Sequence, residues 1–115
     1  MKKIFNSIIP FKGFVAITLW PFIFVRSDKR HRFGESSERH ERIHLKQQAE
    51  MLVLPFYLWY AIEYLVRLVL YFNAKDAYYN LSFEQEAYLN QYDVDYLDNR
   101  KPYAWVKNIF KRPFY

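Results

Sequence analysis

Apolar and polar positions fall into blocks along the chain, each with its own period. Phe14-Val15-Ala16-Ile17-Thr18-Leu19 and Phe22-Ile23-Phe24-Val25 are β-branched and aromatic, and Trp20-Pro21 separates them. They predict two short strands or one bent strand. A membrane-embedded hairpin is the competing reading. The charge-free run Gly13 to Val25 is about 13 residues, short of the roughly 18 to 20 that a spanning helix needs. A charged loop follows over 26–34. Ser36 and Ser37 are placed to cap a helix rich in Glu, Arg, Gln, Leu and Ala that runs to Leu54. Pro55 marks its end or a kink. Residues 56–72 predict a second helix, apolar on nearly all sides. Asn73 to Asn80 reads as a polar connection. Ser82-x-x-Gln85 has the form of a capping box opening a third helix, to about Tyr96 or Leu97. Lys101-Pro102 breaks it, and one further short turn is expected around Trp105 and Ile109. The expected class is therefore α+β, mostly α, with a short N-terminal strand pair ahead of three helices.

Length and composition narrow the chemistry. At 115 residues the chain fits one domain over 1–115. With 52% hydrophobic and 22% aromatic residues it is not a disordered tail. Two Gly exclude a glycine-rich phosphate cradle, and the absence of Cys removes disulfides, thiol catalysis and iron–sulfur clusters. Any metal must be held by His and carboxylates.

Charge is segregated. Residues 1–34 carry seven basic groups against one acid, 35–99 five against eleven, and 100–115 five against none. Such a basic–acidic–basic chain fits poorly to one continuous basic face, so no nucleic-acid partner is expected. The basic ends are interleaved with aromatics (Phe5, Phe11, Phe14 and Trp20; Tyr103, Trp105, Phe110, Phe114 and Tyr115). That composition suits either a solvated rim or contact with an anionic membrane surface. Pro10, Lys12, Gly13 and Pro21 interrupt the N-terminal stretch and no small-residue cleavage site follows, so a cleavable signal peptide is not expected. Cytoplasmic and membrane-associated locations both remain open. Met51 to Phe72 is long enough to reach across a bilayer, but Glu63 and Arg67 stand four apart within it, where they can pair. Charges at bilayer depth cost a few kcal/mol each, so a buried core helix is the expected role and a membrane span the alternative.

The first helix contains His40-Glu41-Arg42-Ile43-His44, the pattern H-E-x-x-H. Two His at i and i+4 share a helical face and can reach one ion, for which Zn2+ is the natural choice. Glu41 projects at an adjacent angle, suited to accepting a proton from a water at the metal. No His lies downstream of His44, and positions 47 and 50 are Gln and Glu, which excludes the extended metzincin pattern. A carboxylate must close the site, with Glu50, Glu63, Asp76, Glu84, Glu86, Asp93, Asp95 and Asp98 as candidates. Glu50 is rotated away from the His face, and Glu63 is more simply explained by Arg67.

Residues Ser82-Phe83-Glu84-Gln85-Glu86-Ala87-Tyr88 bring a resemblance into view. With H-E-x-x-H, the chain resembles the gluzincin metallopeptidases, whose third ligand is a Glu opening a Glu-x-x-Ala or Glu-x-Glu-Ala motif on a later helix. It looks most like their minimal single-domain forms and short bacterial zincin-like proteins. The likeness covers about residues 14–98 but rests on barely a dozen motif positions. It implies zinc held by His40, His44 and Glu84, with Glu41 as the general base of a peptidase acting on a peptide or protein substrate. It also implies a motif helix that follows a strand and loop, with that strand aligning the peptide. The alternatives are a zincin-like protein that binds metal without turnover and a membrane-associated structural or interaction protein in which H-E-x-x-H is fortuitous. Glu86 is the alternative ligand, since the two carboxylates stand about 160° to 200° apart around a helix and only one can face the metal. The pattern departs at Tyr88, where relatives carry Asn or Asp to orient a ligand His. Asn90, Glu86 or Tyr88 would have to take that part. Tyr88 and Tyr92 are candidate oxyanion donors, Gln47 and Gln48 stand near the metal face, and His31 lies in the basic loop.

Overall fold

The computed structural model describes residues 2–9 and 14–111. Pro10, Phe11, Lys12, Gly13, Arg112, Phe114 and Tyr115 lie outside them. Three short strands, β1 (Lys2–Asn6), β2 (Ala16–Leu19) and β3 (Phe22–Arg26), form a sheet in the order β1-β3-β2. β2 and β3 are antiparallel about the cis Trp20–Pro21 peptide, whereas β1 runs parallel to β3. The expected strand pair is therefore β2 and β3, and β1 is an addition. A 3-10 turn (Ser27–Arg32) leads to α1 (Glu35–Glu50), α2 (Leu54–Tyr71), α3 (Ala74–Tyr79), α4 (Ser82–Asn90), α5 (Tyr96–Asn99) and a last 3-10 turn (Val106–Asn108). The fold is α+β and mostly helical, as expected.

Directly opposed residues of an antiparallel pair share a sheet face. Ala16 and Thr18 thus lie with Val25 and Ile23; Thr18, Ile23 and Val25 are buried, and β2 packs on α1. Ile17, Leu19, Phe22 and Phe24 form the outer face. The blocks of opposite charge meet across this packing. Lys3 of β1 pairs with Glu38 of α1 at 2.7 Å, and Arg100 pairs with Glu50 and Glu86.

Helix boundaries correct the sequence reading at several points. α1 starts at Glu35 with Gly34 as its N-cap and no side-chain cap, so Ser36 and Ser37 do not cap it; the Ser37 hydroxyl donates to the Arg32 carbonyl instead. α1 ends at Glu50 rather than Leu54. Leu52 and Val53 take positive φ of 60° and 64°, and the next helix axis departs at 112°. Pro55 opens α2, where its missing N–H costs nothing. The polar connection 73–80 is a short helix, capped by the Asn73 side chain accepting from the Asp76 N–H. The third expected helix stops at Asn90 and a separate turn forms at α5.

The capping box at Ser82 and Gln85 does not form. Glu63 caps α4 from outside, accepting from the Ser82 N–H and hydroxyl, both at 2.6 Å. Gln85 donates to the Asn80 and Lys111 carbonyls. Glu63 also pairs with Arg67 at 2.9 Å, as the spacing predicts, and Arg67 reaches the carbonyls of Asn108, Ile109 and Lys111. One polar ladder on α2 thereby ties α4 and the C-terminal segment together. Beside it sits an aromatic core of Phe56, Phe83 and Trp105, with Phe83 centred 4.5 Å from Phe56 and 4.6 Å from Trp105.

The expectation that α2 would be buried is not met. Phe56 and Arg67 are its buried residues, while Leu54, Leu58, Ile62, Leu65, Val69 and Leu70 are exposed. The polar ladder, not the apolar stripe, faces inward, because Glu63 and Arg67 find their partners there. No single helix among the described residues is long and apolar enough to cross a membrane; α1 and α2 meet that test only as a bent pair, by length and composition.

Because Arg67 is buried and satisfied through Glu63, removing the acid strands a charge in the interior. Glu63→Ala is expected to cost about 3 kcal/mol or more in urea unfolding. Glu38→Ala, at the solvent-exposed Lys3 pair, is expected to cost under about 1 kcal/mol. Equal losses would contradict the role given to the ladder.

Candidate metal centre

α1 presents His40 and His44 one turn apart toward α4, and α4 presents Glu84 from its first turn. The three side chains are buried and form a group that can hold a metal ion. The His40 Nε2, His44 Nε2 and Glu84 Oε1 atoms make a triangle with all three sides 3.2 Å. Ligands about 2.0 to 2.1 Å from a tetrahedral ion stand about 3.3 to 3.4 Å from one another, so the triangle has the dimensions of one face of such a site.

The protons on the imidazoles are fixed from behind. His44 Nδ1 donates to Gln47 Oε1 at 2.8 Å. That oxygen is identified as the carbonyl end because Gln47 Nε2 donates to the Phe83 carbonyl and to Glu86. His40 Nδ1 donates to Gln91 Oε1 at 2.6 Å. With both Nδ1 atoms protonated, a neutral ring at either position turns a lone pair toward Glu84. Two such lone pairs and a carboxylate oxygen at this spacing require a positive charge among them, and the donor set of two imidazoles and one carboxylate suits a divalent cation.

In the metal-free protein a proton meets that requirement. Burial alone would lower the His44 pKa, but the Glu84 carboxylate beside it prevails and pushes it up to about 9. Burial alone would raise Glu84, and the His44 and His40 imidazoles instead hold it well below the usual carboxylate range. Tyr60 donates to the second oxygen, Glu84 Oε2, at 2.9 Å, which fixes the carboxylate plane. Burial followed by the Glu84 charge raises the Tyr60 hydroxyl well above its ordinary value, so it stays a donor.

Glu41 is not a corner of the triangle. Its Oε2 stands 4.0 Å from His40 Nε2, and Oε1 accepts from the Thr18 hydroxyl at 2.8 Å. Burial raises its pKa, partly offset by the nearby His rings. A carboxyl so placed is a stronger proton acceptor than an exposed Glu. Glu41, His44 and Glu84 open onto a cleft of about 390 Å³, bordered by β2, α2 and Tyr78.

β2 is the edge of the sheet on this side. The Arg26 N–H to Val15 carbonyl bond sets the alternation, so Ala16 and Thr18 turn their backbone groups away from β3. Gln48 caps part of this edge, donating to the Thr18 carbonyl and accepting from the Trp20 N–H. The Ala16 N–H and carbonyl and the Thr18 N–H are left without a partner among the described residues.

The motif residues His40, His44 and Glu84 thus come together. Glu86 does not join them: it turns the other way, to Gln47, Tyr96 and Arg100. Glu50 pairs with Arg100 and Glu63 with Arg67. Tyr88 lays its ring against His40, with centroids 4.4 Å apart, while Tyr92 and His31 are exposed. Of the residues weighed for orienting a ligand His, Glu86 acts only through Gln47 and Asn90 turns back to the Glu86 carbonyl. Gln91 holds His40. Gln91, Thr18 and Tyr60 are site residues that the sequence does not single out, Thr18 entering it only as part of a strand. Two carried a signal: Gln91 is seven residues beyond Glu84, two turns along the same helical face, and Tyr60 stands three before Glu63 on the polar side of α2.

Loading a divalent metal must displace the proton shared by His44 and Glu84. Uptake of Zn2+ at pH 7 is expected to release about one proton per ion, falling toward none above pH 9, as calorimetry in buffers of different ionisation enthalpy would read. The same pair sets the pH dependence of metal-free stability. The contribution of His44, with its raised pKa, is fully present below the ordinary 6.5 and lost as pH rises through about 9. That of Glu84, with its depressed pKa, is present above 4.5 and lost as pH falls below it. Proton release independent of pH between 6 and 9 would contradict this assignment.

Set against the known protein families, the curated proteins and the solved structures, the chain matches none, so the reading of the site rests on its own geometry.

Proposed function

We propose that the chain is a zinc-dependent metallopeptidase of the gluzincin type, with His40, His44 and Glu84 as ligands and Glu41 as general base. The observation that carries this reading is the 3.2 Å triangle of converging lone pairs with a second, raised-pKa carboxylate beside it at the mouth of a cleft. Bound zinc supplies Lewis acidity, lowering the pKa of water toward 7 and polarising a carbonyl.

The chain's own groups supply the rest. Glu41, oriented by Thr18, takes a proton from the attacking water and returns it to the leaving amine. The Ala16 N–H and carbonyl and the Thr18 N–H, without a partner among the described residues, give an extended peptide an edge to pair with, beside Glu41. Phe14, Ile17, Phe56 and Tyr57 give the cleft an apolar wall for a substrate side chain.

The test is peptide hydrolysis by zinc-loaded protein on a mixed peptide library, in wild type and Glu41→Gln. Wild type is expected to cleave, and Glu41→Gln to keep its zinc while losing about 100-fold or more of the rate. Zinc-loaded wild type that cleaves nothing would leave a metal-binding protein without turnover. Equal rates in the two would remove Glu41 from the mechanism.

A further inference from the structure

The outward face of α2 has no counterpart in the proposed chemistry. Leu58, Leu65, Val69 and Phe72 are 64, 58, 67 and 89% exposed, and Leu54 and Ile62 continue the same face. The helix carries two charged residues, Glu63 and Arg67, which pair with each other and turn away from this face, Glu63 to α4 and Arg67 to the C-terminal segment. The outward face is therefore free of charge over 18 residues, about 27 Å at 1.5 Å per residue. Folded proteins rarely leave an apolar surface of that length to water, and those that do use it for contact.

What lies alongside it indicates the occupant. Arg67 holds the carbonyls of Asn108, Ile109 and Lys111, and Trp59 packs on Trp105 with centroids 5.4 Å apart. The segment 101–111 is thus fastened beside α2. It exposes Tyr103, Val106 and Phe110, the last 99% exposed, together with Lys101, Lys107 and Lys111. Across 51–72 and 101–111 the single acid is Glu63, which is spent on Arg67 and Ser82. An apolar helix face adjoined by a segment that exposes aromatics and three lysines and carries no acid is complementary to a surface that is apolar below and anionic above. A second copy of the chain fits less well, because the same patch on it offers the lysines no acid beyond Glu63, which is already bound to Arg67 and Ser82.

We infer that the outer face of α2 and the adjoining segment 101–111 seat the protein on an anionic lipid surface, with α2 lying in the membrane plane rather than crossing it. The polar ladder on the inner side holds the helix to the protein while its outer side enters the headgroup–acyl boundary. Lys101, Lys107 and Lys111 meet lipid phosphates, and Tyr103 and Phe110 lie at the boundary between them. The inward side of the same helix presents Tyr60 to Glu84, so lipid contact and metal centre occupy opposite sides of one element.

The experiment is vesicle flotation of the full chain with phosphatidylcholine alone and with mixed phosphatidylcholine–phosphatidylglycerol. Binding to the mixed vesicles is expected, weakening as salt rises. Lys101→Gln/Lys107→Gln/Lys111→Gln is expected to weaken it by about 100-fold, and Leu65→Glu/Val69→Glu to abolish it. Far-UV circular dichroism and cooperative thermal unfolding, measured in parallel, report that each variant is folded, whether or not the chain holds zinc. The inference is overturned if folded wild type stays off the mixed vesicles. It is overturned equally if both sets of substitutions leave binding unchanged, or if Leu65→Glu/Val69→Glu converts a dimer to a monomer in a chain that ignores lipid.

Discussion

At the centre of the fold, two imidazole nitrogens and a carboxylate oxygen face one another at 3.2 Å in a buried pocket, and the surrounding groups keep them from turning away. Gln47 and Gln91 hold the far nitrogens as donors, and Tyr60 holds the far carboxylate oxygen. The electrostatic cost of that convergence is met only by a positive charge, whether a proton or a metal ion. Most of the other polar contacts in the interior serve to fix the two helices that carry these atoms.

α4 is the shorter of the two, and its position rests on contacts from other elements. It is nine residues long, with no side-chain cap of its own, and its first turn carries Glu84. Glu63 binds its N-terminus, Gln85 ties it to the C-terminal segment, and Phe83 anchors it in the aromatic core. Glu86, two residues from the ligand, joins Arg100 and through Gln47 reaches His44. A change at Glu63, Glu86 or Arg100 therefore acts on the site through the position of α4, without touching the metal atoms. α2 supplies both Glu63 and Tyr60, which is why its polar side faces inward and its apolar side outward.

The legible parts of this arrangement were those with short-range causes. H-E-x-x-H fixes its geometry within one helical turn, and Glu63 with Arg67 does the same. Glu84 was reachable because its neighbourhood resembles a known motif, and the rejection of Glu86 followed only once α4 was placed. Side-chain partners distant in sequence left weaker traces. Thr18 meets Glu41 across 23 residues, and nothing in its strand announces that. The Ser82 capping box failed because Glu63, a charged acceptor from another helix, displaces the local Gln. β1 was missed because a strand of Lys-Lys-Ile-Phe-Asn shows little apolar alternation and is defined by β3 beside it. For α2 the error was one of direction. A nearly continuous apolar run suggests burial, while two charges and their partners decided which side faced in.

The central claim is most directly tested by metal content. The full chain, purified without chelator and exposed to zinc, is analysed alongside His40→Ala, Glu84→Ala and Glu86→Gln, the last keeping a hydrogen-bonding side chain beside Gln47. About one zinc per chain in wild type, lost in His40→Ala and Glu84→Ala and kept in folded Glu86→Gln, is the predicted result. A folded wild type that takes up no zinc, or a Glu84→Ala variant that holds it as well as wild type does, would contradict it.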